Sequence, residues 1–407
     1  MKLLTFCSYF SPERAAGIYL TEDVLEGAAK AGFTVQAFAP TPTRGVTLQI
    51  IQQYKKIRME ERCQGRVCIH RFRMMQEGKN PIGRALRYIL LNLAFIWKGM
   101  KSNADVIFID STPPTQGVMA AFLKKLKKIP IVYNLQDVFP DSMVTTGMTH
   151  EGSLIWKIGR IVENVTYKNA DVIITISQAM KRNIMAKGVP EAKIRVVCNW
   201  IDTDKIQPVK KQDNRLFEEF GIDREKFTVV YAGNFGAAQG ADVVLEAAKL
   251  LPDIQFVIFG GGAEFEQAKK QAEALPNVII NGLLPLERVP EVYSLGDLCL
   301  ITCKKGVGNS GMPSKTWSIM ACGTPIVAAF DTDSELAEVI SEANAGICVE
   351  PENPERLAQA ITTMKANASQ YGGGRAYVCE NASKTVCVKK YVEVLKREAK
   401  VVQKAKL

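Results

Sequence analysis

Two α/β domains, each a parallel sheet flanked by helices, are what this sequence predicts, and three observations carry the prediction. Short apolar runs alternate with amphipathic helical patterns along nearly the whole chain, as in successive βαβ units. The alternation stops once, in the polar stretch 203–214, and then restarts. At 407 residues the chain also exceeds the roughly 250–300 that a single hydrophobic core supports.

In order, residues 2–8 read as a strand, 18–31 as an amphipathic helix closed by Gly32, and 33–39 as the next strand. Residues 105–110, 129–134 and 171–177 have the same apolar character with helices between them, and 194–197 ends the series. After the linker the pattern resumes with strands at 227–232, 254–259, 278–280, 298–302 and 324–328 and a helix at 241–251. Gly372-Gly373-Gly374 interrupts the chain, and 386–401 is a charged helix expected to return to the first domain. The expected division is 1–203, with 380–407 packing back on it, and 204–379. Two such halves facing each other would leave a cleft lined by the carboxyl ends of strands, where ligands of open α/β sheets gather.

Composition narrows the function. Hydrophobic residues make up 47% of the chain and charged residues 23%, ordinary globular proportions that exclude a disordered or fibrous protein. The net charge of +10 is concentrated: residues 55–101 alone hold +9, which points to a negatively charged partner. Ten cysteines without CxxC pairs, and a start (MKLLTFCSYF) without a signal-peptide pattern, imply a reduced, cytoplasmic protein. The sequons at Asn164, Asn367 and Asn381 are then chance matches. With His70 and His150 the only histidines, a His-rich zinc site and a Ser-His-Asp triad are poor readings of this chain. No apolar run reaches the ~18 residues of a membrane span; the nearest, 85–100, is interrupted by Arg87 and Lys98.

Several loops carry chemistry. Ser11-Pro12-Glu13-Arg14-Ala15-Ala16-Gly17 joins the first strand to the first helix, where backbone N–H groups and the helix dipole can hold a phosphate; a strand-to-helix turn also needs a glycine for its geometry alone. The second half repeats the arrangement in the loop from Gly233 to Gly240, and again at Gly260-Gly261-Gly262. Neither is a P-loop or a GxGxxG fingerprint. Gly311-Met312-Pro313-Ser314-Lys315 suits a helix start, but Lys315 places a cation in the first turn against the dipole. A bound anion would explain it, and so would simple solvation of a surface lysine. Asp137, just past a strand, is placed either to act as a base or hydroxyl ligand or to cap the next segment of chain. The segment 84–101, RALRYILLNLAFIWKGMK, reads as a lipid-interface helix with Tyr88 and Trp97 near headgroups and Leu90, Phe95 and Trp97 facing lipid, or else as a core helix. The basic stretch before it favours the interface.

Taken together, SPERAAGIYL, DSTPPTQG, NLQDVFPDS, ADVIITISQAMKRNIMAKGVPEAKIRVVCNWID, YAGNFGAAQGADVVLEAAKLL, FVIFGGGAEFE, NGLLPLERVPEVYSLGDLCLI and PSKTWSIMACGTPIVA resemble glycosyltransferase family 4 over nearly the whole chain. The likeness is strongest to the bacterial transferases of O-antigen, capsule and colanic-acid assembly, including the N-acetylfucosamine transferase type. The resemblance implies a GT-B fold, two Rossmann-like domains, and retaining transfer from a nucleotide sugar, expected to be UDP-linked, with no metal or other cofactor. The first domain would hold the acceptor, a polyprenyl-diphosphate-linked sugar or glycan, at the inner face of the membrane. No nucleic-acid partner is expected.

On this resemblance Asp137 and Lys315 are the catalytic candidates. Arg14, Gly17, Gly233, Asn234, Gln239, Gly260, Gly261, Leu284, Glu287, Gly311, Met312, Pro313, Ser314 and Ser318 are the donor-binding candidates, and Tyr19, Arg84, Arg87 and Trp97 the acceptor or membrane contacts. The sequence departs from the family at telling places. Asn234 and Gln239 stand where an Arg and a Lys bind the donor pyrophosphate, Ser310 and Ser318 where a pair of glutamates stands, and Gln136 where a His is common. Two cations are thus missing from a diphosphate site, which makes Lys315 and Arg14 the expected substitutes. A nucleotide-sugar epimerase and a non-catalytic assembly subunit are the alternatives.

Overall fold

The computed structural model describes all residues except Ala15, Ala16, Glu77, Lys79, Thr146, Asn309, Ser310 and Leu407, and leaves out the side chains of Pro81 and 402–406. The chain divides into two compact units: Met1–Cys198 with Cys387–Leu407, and Asn199–Val386. Six helices are referred to by number: α1 (Ile18–Lys30), α2 (Pro81–Lys101), α3 (Thr115–Lys127), α4 (Leu154–Asn169), α5 (Lys315–Ala321) and α6 (Lys384–Lys406).

The first unit is built on eight strands: β1 (Lys2–Phe6), β2 (Thr34–Pro40), β3 (Met59–Arg62), β4 (Val67–Phe72), β5 (Val106–Asp110), β6 (Ile131–Leu135), β7 (Val172–Thr175) and β8 (Ile194–Val196). Their order across the sheet is β3-β4-β2-β1-β5-β6-β7-β8. All neighbours are parallel except β3 and β4. Strands such as VIFID and IVYNL are buried along almost their whole length, which is why they read as continuous apolar runs and not as alternations. Helix α6 belongs to this unit. Its Tyr391 hydroxyl donates to Asn134 Oδ1 at 2.8 Å, and a Cβ on Gly27 of α1 would lie 2.2 Å from Val388, so that glycine lets the two helices approach.

The hairpin β3–β4 corrects the reading of the basic stretch. Arg71, fully buried, pairs with Glu60 at 2.5 Å and donates to the carbonyls of Pro40 and Ser11. Arg62 pairs with Glu22 at 2.6 Å. Arg87 is 0% exposed, donates to the Met75 carbonyl and stacks over the Tyr9 ring. Arg71 is thus held inside the fold, Arg62 stays partly exposed beside Glu22, and the two terminal guanidinium nitrogens of Arg87 are buried with no hydrogen-bond partner among the described residues.

Helix α2 is also divided. Leu91 and Phe95 are fully buried, Phe95 lying 5.1 Å from the Phe6 ring and 5.7 Å from Phe72, so the expectation that Phe95 faces lipid is overturned. Leu90 and Trp97 do point outward, with Ile82, Leu86, Ile89, Leu93 and Met100. Spacings of three and four separate the two faces. Phe95→Ala should cost about 3–5 kcal/mol of stability, read as an earlier denaturant midpoint.

The second unit has six strands: β9 (Thr228–Asn234), β10 (Gln255–Gly261), β11 (Val278–Gly282), β12 (Leu298–Thr302), β13 (Ile326–Ala329) and β14 (Gly346–Val349), all parallel, in the order β11-β10-β9-β12-β13-β14. Chain order reverses direction between β9 and β12, so the loops leaving these neighbours diverge to opposite faces and open a crevice at their carboxyl ends.

Candidate functional site

That crevice is a cavity of about 380 Å³ in the second unit. Gly233 and Asn234 reach it from the end of β9, Gln239 from the loop that follows, Thr302 and Cys303 from the end of β12, Gly311, Pro313 and Ser314 from the approach to α5, and Lys315 from its first turn. Six of the donor candidates and the catalytic candidate Lys315 therefore meet at one place, although they come from two segments some seventy residues apart. Tyr293, Val307 and Phe330, not foreseen, complete the wall. The Thr302 hydroxyl donates to the Gln239 carbonyl at 2.7 Å and Lys304 N to the Ala238 carbonyl at 3.0 Å, which pins the β9 loop to the neighbouring strand.

Lys315 is the first residue of α5 and is not a solvated surface lysine. Its half-buried side chain puts Nζ 4.4 Å above the Tyr231 ring and 3.3 Å from the Ala232 carbonyl. Among the described residues no carboxylate pairs with it. Burial disfavours the ammonium and lowers its pKa to about 8. A lysine kept in this position without a counter-charge fits an anion that arrives from outside.

Gly233 fits the same purpose, because a Cβ there would lie 2.9 Å from Lys315 Nζ. Gly233→Ala should push the ammonium aside and weaken nucleoside-diphosphate binding roughly tenfold, about the net value of one charge-assisted hydrogen bond, as titration calorimetry would measure.

Asn234 and Gln239 form a pair of their own, Asn234 Nδ2 donating to Gln239 Oε1 at 3.3 Å. Gly236 and Gly262 make room for it. A Cβ on Gly262 would come within 2.2 Å of Asn234 Oδ1, and its φ of +114° suits glycine. The two amides thus bring hydrogen-bonding groups without charge to this wall, and Lys315 supplies the cation.

Other candidates lie outside this cavity. Gly260 sits where a Cβ would strike Phe235 and Phe265 at 2.6 Å, so aromatic packing explains that glycine. Gly261 faces Leu283, Glu287 is exposed on a short 3-10 turn, and Leu284, Met312 and Ser318 do not line the cavity. Ser310 falls outside the described residues.

In the first unit the loops at the strand ends are tied by side chains. Glu13, buried, accepts from the backbone N–H groups of Phe10, Thr43 and Arg44 at 2.8–3.1 Å and so fixes the turn carrying Arg14, which is exposed. Gly17, at φ +81°, precedes α1, and Tyr19 is 53% exposed on its first turn. Asp137 is exposed past β6, accepts from the Ser142 hydroxyl at 2.8 Å, and lines a cavity of about 280 Å³ with Ser111, Thr112, Phe139, Ser142 and Met143. Behind it runs a buried network that sequence reasoning missed. Asp110 accepts from Thr21 and Asn134, and Asn134 accepts from Gln136 and Tyr391. Burial raises the Asp110 pKa, while its two hydrogen bonds act the other way. A larger cavity, about 950 Å³, lies among α3, α4 and α6 beside Ile129, Pro130 and Asp171. Those residues precede β6 and β7, so it opens at the amino ends of the strands and away from the crevice chemistry.

Comparison with known proteins agrees with this architecture. Residues 19–205 match the model described as Glycosyltransferase Family 4, and 212–385 match Glycosyl transferases group 1. A Pseudomonas aeruginosa protein named as glycosyltransferase WbjE is 25% identical, over 81% of this chain and 85% of its own length. WcaI of Escherichia coli K12, named for colanic acid biosynthesis glycosyl transfer, is 29% identical over 59% of this chain and 61% of its own. Among solved structures, HepE of Anabaena in complex with UDP superposes with a TM-score of 0.70 at 17% identity, covering 98% of this chain and all of that one.

Proposed function

The chain belongs to glycosyltransferase family 4, with the two parallel-sheet units of the GT-B fold, and from that premise we propose that it transfers a sugar from a UDP-linked donor with retention of anomeric configuration. The observation that carries the proposal is the unpaired, half-buried ammonium of Lys315 in the crevice between β9 and β12. A sugar nucleotide brings a diphosphate, and the ammonium answers its charge where the family's usual Arg and Lys are replaced by Asn234 and Gln239. Arg14 is the second cation proposed for the donor.

Retention without a covalent intermediate requires the bond from the anomeric carbon to the diphosphate oxygen to open first. The acceptor oxygen then enters on the same face, and its proton passes to the departing diphosphate oxygen. Negative charge grows on the leaving group along this path, so a fixed cation beside it favours the transition state over the bound donor. We assign the acceptor hydroxyl to the first unit, where Asp137 and Ser142 can hold it.

The acceptor class proposed is a lipid-linked sugar or glycan in the assembly of a bacterial surface polysaccharide, in line with WcaI, whose name gives colanic acid biosynthesis, and with the outward apolar face of α2. Among the described residues no helix is long and apolar enough to cross a membrane, so contact with a lipid-borne substrate would be peripheral. Incubation with UDP-sugars and a polyprenyl-diphosphate sugar tests the proposal: release of UDP with a product whose anomeric proton coupling matches the donor's supports it. Turnover with inverted coupling would reject retention, and no turnover with any nucleotide sugar would reject the function.

A further inference from the structure

The side chains behind Asp137 decide which way two amides face. The oxygen and nitrogen of an Asn or Gln amide differ little in shape, so neighbouring donors and acceptors set the orientation. As a carboxylate Asp110 only accepts, taking the Thr21 hydroxyl at 2.8 Å and Asn134 Nδ2 at 2.6 Å. Asn134 therefore turns its nitrogen toward Asp110 and its oxygen the other way. That oxygen accepts from the Tyr391 hydroxyl at 2.8 Å and from Gln136 Nε2 at 3.0 Å, which uses both of its lone pairs. Gln136 is thereby held with its nitrogen inward and its Oε1 left over.

The surroundings keep this arrangement from slipping. Asn134 and Tyr391 are buried, the Tyr391 ring stands edge-on to Phe108 at 6.1 Å, and the Gln136 backbone N–H donates to Ser111 Oγ at 3.0 Å. Gln136 itself is half-buried, just past the end of β6 and one residue before Asp137, and among the described residues nothing donates to its Oε1. Its link is not needed to satisfy the others, because Asp110 has Thr21 and Asn134, and Asn134 has Tyr391. A carbonyl oxygen held in one orientation at the carboxyl end of a strand fits a donor group brought by a ligand. Such an oxygen repels phosphate and carboxylate and suits a hydroxyl, the common donor of a sugar.

We propose that Asp110, Asn134 and Tyr391 are positioning residues that lock the Gln136 amide, so that its oxygen takes a hydrogen bond from a hydroxyl of the sugar receiving the transfer. This rests on the assignment of that sugar to the first unit, and adds to it Gln136 as a specificity residue of fixed polarity. It also gives α6 a task, since the helix that returns to the first unit brings the Tyr391 hydroxyl on which the orientation depends.

Initial rates of the full chain with a polyprenyl-diphosphate sugar, and with analogues of it that each lack one hydroxyl other than the reacting one, test this. One analogue should lose roughly three- to tenfold in kcat/KM with the wild type, the worth of one hydrogen bond. Gln136→Leu should bring the parent sugar and that analogue to nearly equal kcat/KM, through a higher KM for the parent, with UDP affinity unchanged. Tyr391→Phe keeps the ring and should reduce the discrimination part of the way, with no further effect on it in the Gln136→Leu background. If Tyr391→Phe folds poorly, Asp110→Asn takes its place, because an amide there can donate to Asn134 and lets it turn round. Equal slowing of parent and analogue by Tyr391→Phe, or a loss of discrimination that adds to that of Gln136→Leu, would reduce the network to a folding role and overturn the proposal. Discrimination by the wild type that survives Gln136→Leu would overturn it too, and leave the assignment of the sugar to the first unit standing. No transfer by the wild type would reject both.

Discussion

Lys315→Ala should lower UDP affinity by roughly 10- to 150-fold, the equivalent of about 1.5–3 kcal/mol for a hydrogen bond to a charged group. It should lower kcat/KM further, since charge on the diphosphate grows toward the transition state. Titration calorimetry and initial rates measure the two effects. The pH dependence has a definite sign. The pKa of Lys315 is lowered to about 8, so in the free protein the ammonium is present below pH 8 and lost above it. UDP affinity should therefore fall as pH rises through 8, and binding near pH 8.5 should take up a proton from the buffer. For folding alone the sign is opposite. Between pH 8 and the ordinary lysine range, the unfolded chain binds more protons than the folded one, so this group adds stability as pH rises across that window. Lys315→Met should accordingly melt higher than the wild type near pH 7 while losing the UDP-induced shift, the familiar exchange of stability for function. UDP affinity unchanged in Lys315→Ala would remove the lysine from the site.

Asp137→Asn should lower the rate of transfer by roughly 10- to 150-fold, the value of one hydrogen bond from the acceptor hydroxyl to a charged group, with donor affinity nearly unchanged. The amide keeps the shape and can still accept from Ser142, now at 2.8 Å from the carboxylate, so the lost property is charge. The rate at saturating donor and acceptor, set beside the UDP dissociation constant, separates the effects. A fall in donor affinity with the saturated rate preserved would place Asp137 on the donor side.

How far such residues were legible in the sequence depended on what fixes them. Strands buried on both faces declare themselves as apolar runs, and β12 was expected over the same residues that form it. The hairpin β3–β4 was not legible, because MEER is a charged edge strand with no apolar pattern, and its turn puts Cys63 and Gln64 at positive φ ahead of Gly65, where sequence offers only the last of the three as a turn signal. The strand GICV is too short to stand out.

Asn234 and Gln239 drew notice because they stand where the resembled family has an Arg and a Lys, and Lys315 because it puts a cation in the first turn of a helix; the cavity brings the three together. At Gly260 the sequence does not show that a Cβ would meet two phenylalanine rings, since a glycine that makes room for packing looks, in sequence, like one that makes room for a ligand. Phe95 was misread because a helix apolar over most of its surface does not show which side is inward until its neighbours are known. The Asn134–Tyr391 bond joins residues 257 apart, beyond any local pattern.

The central claim is that the crevice beside Lys315 binds the diphosphate of a nucleotide sugar. Thermal denaturation of the wild type and of Lys315→Ala with UDP, GDP and dTDP tests it most directly. A nucleotide at 100 times its dissociation constant stabilises the fold by about 2.7 kcal/mol. The wild type should therefore melt several degrees higher with UDP, while Lys315→Ala at the same concentration should shift far less. No shift of the wild type with any of the three, or an equal shift in the variant, would contradict the claim.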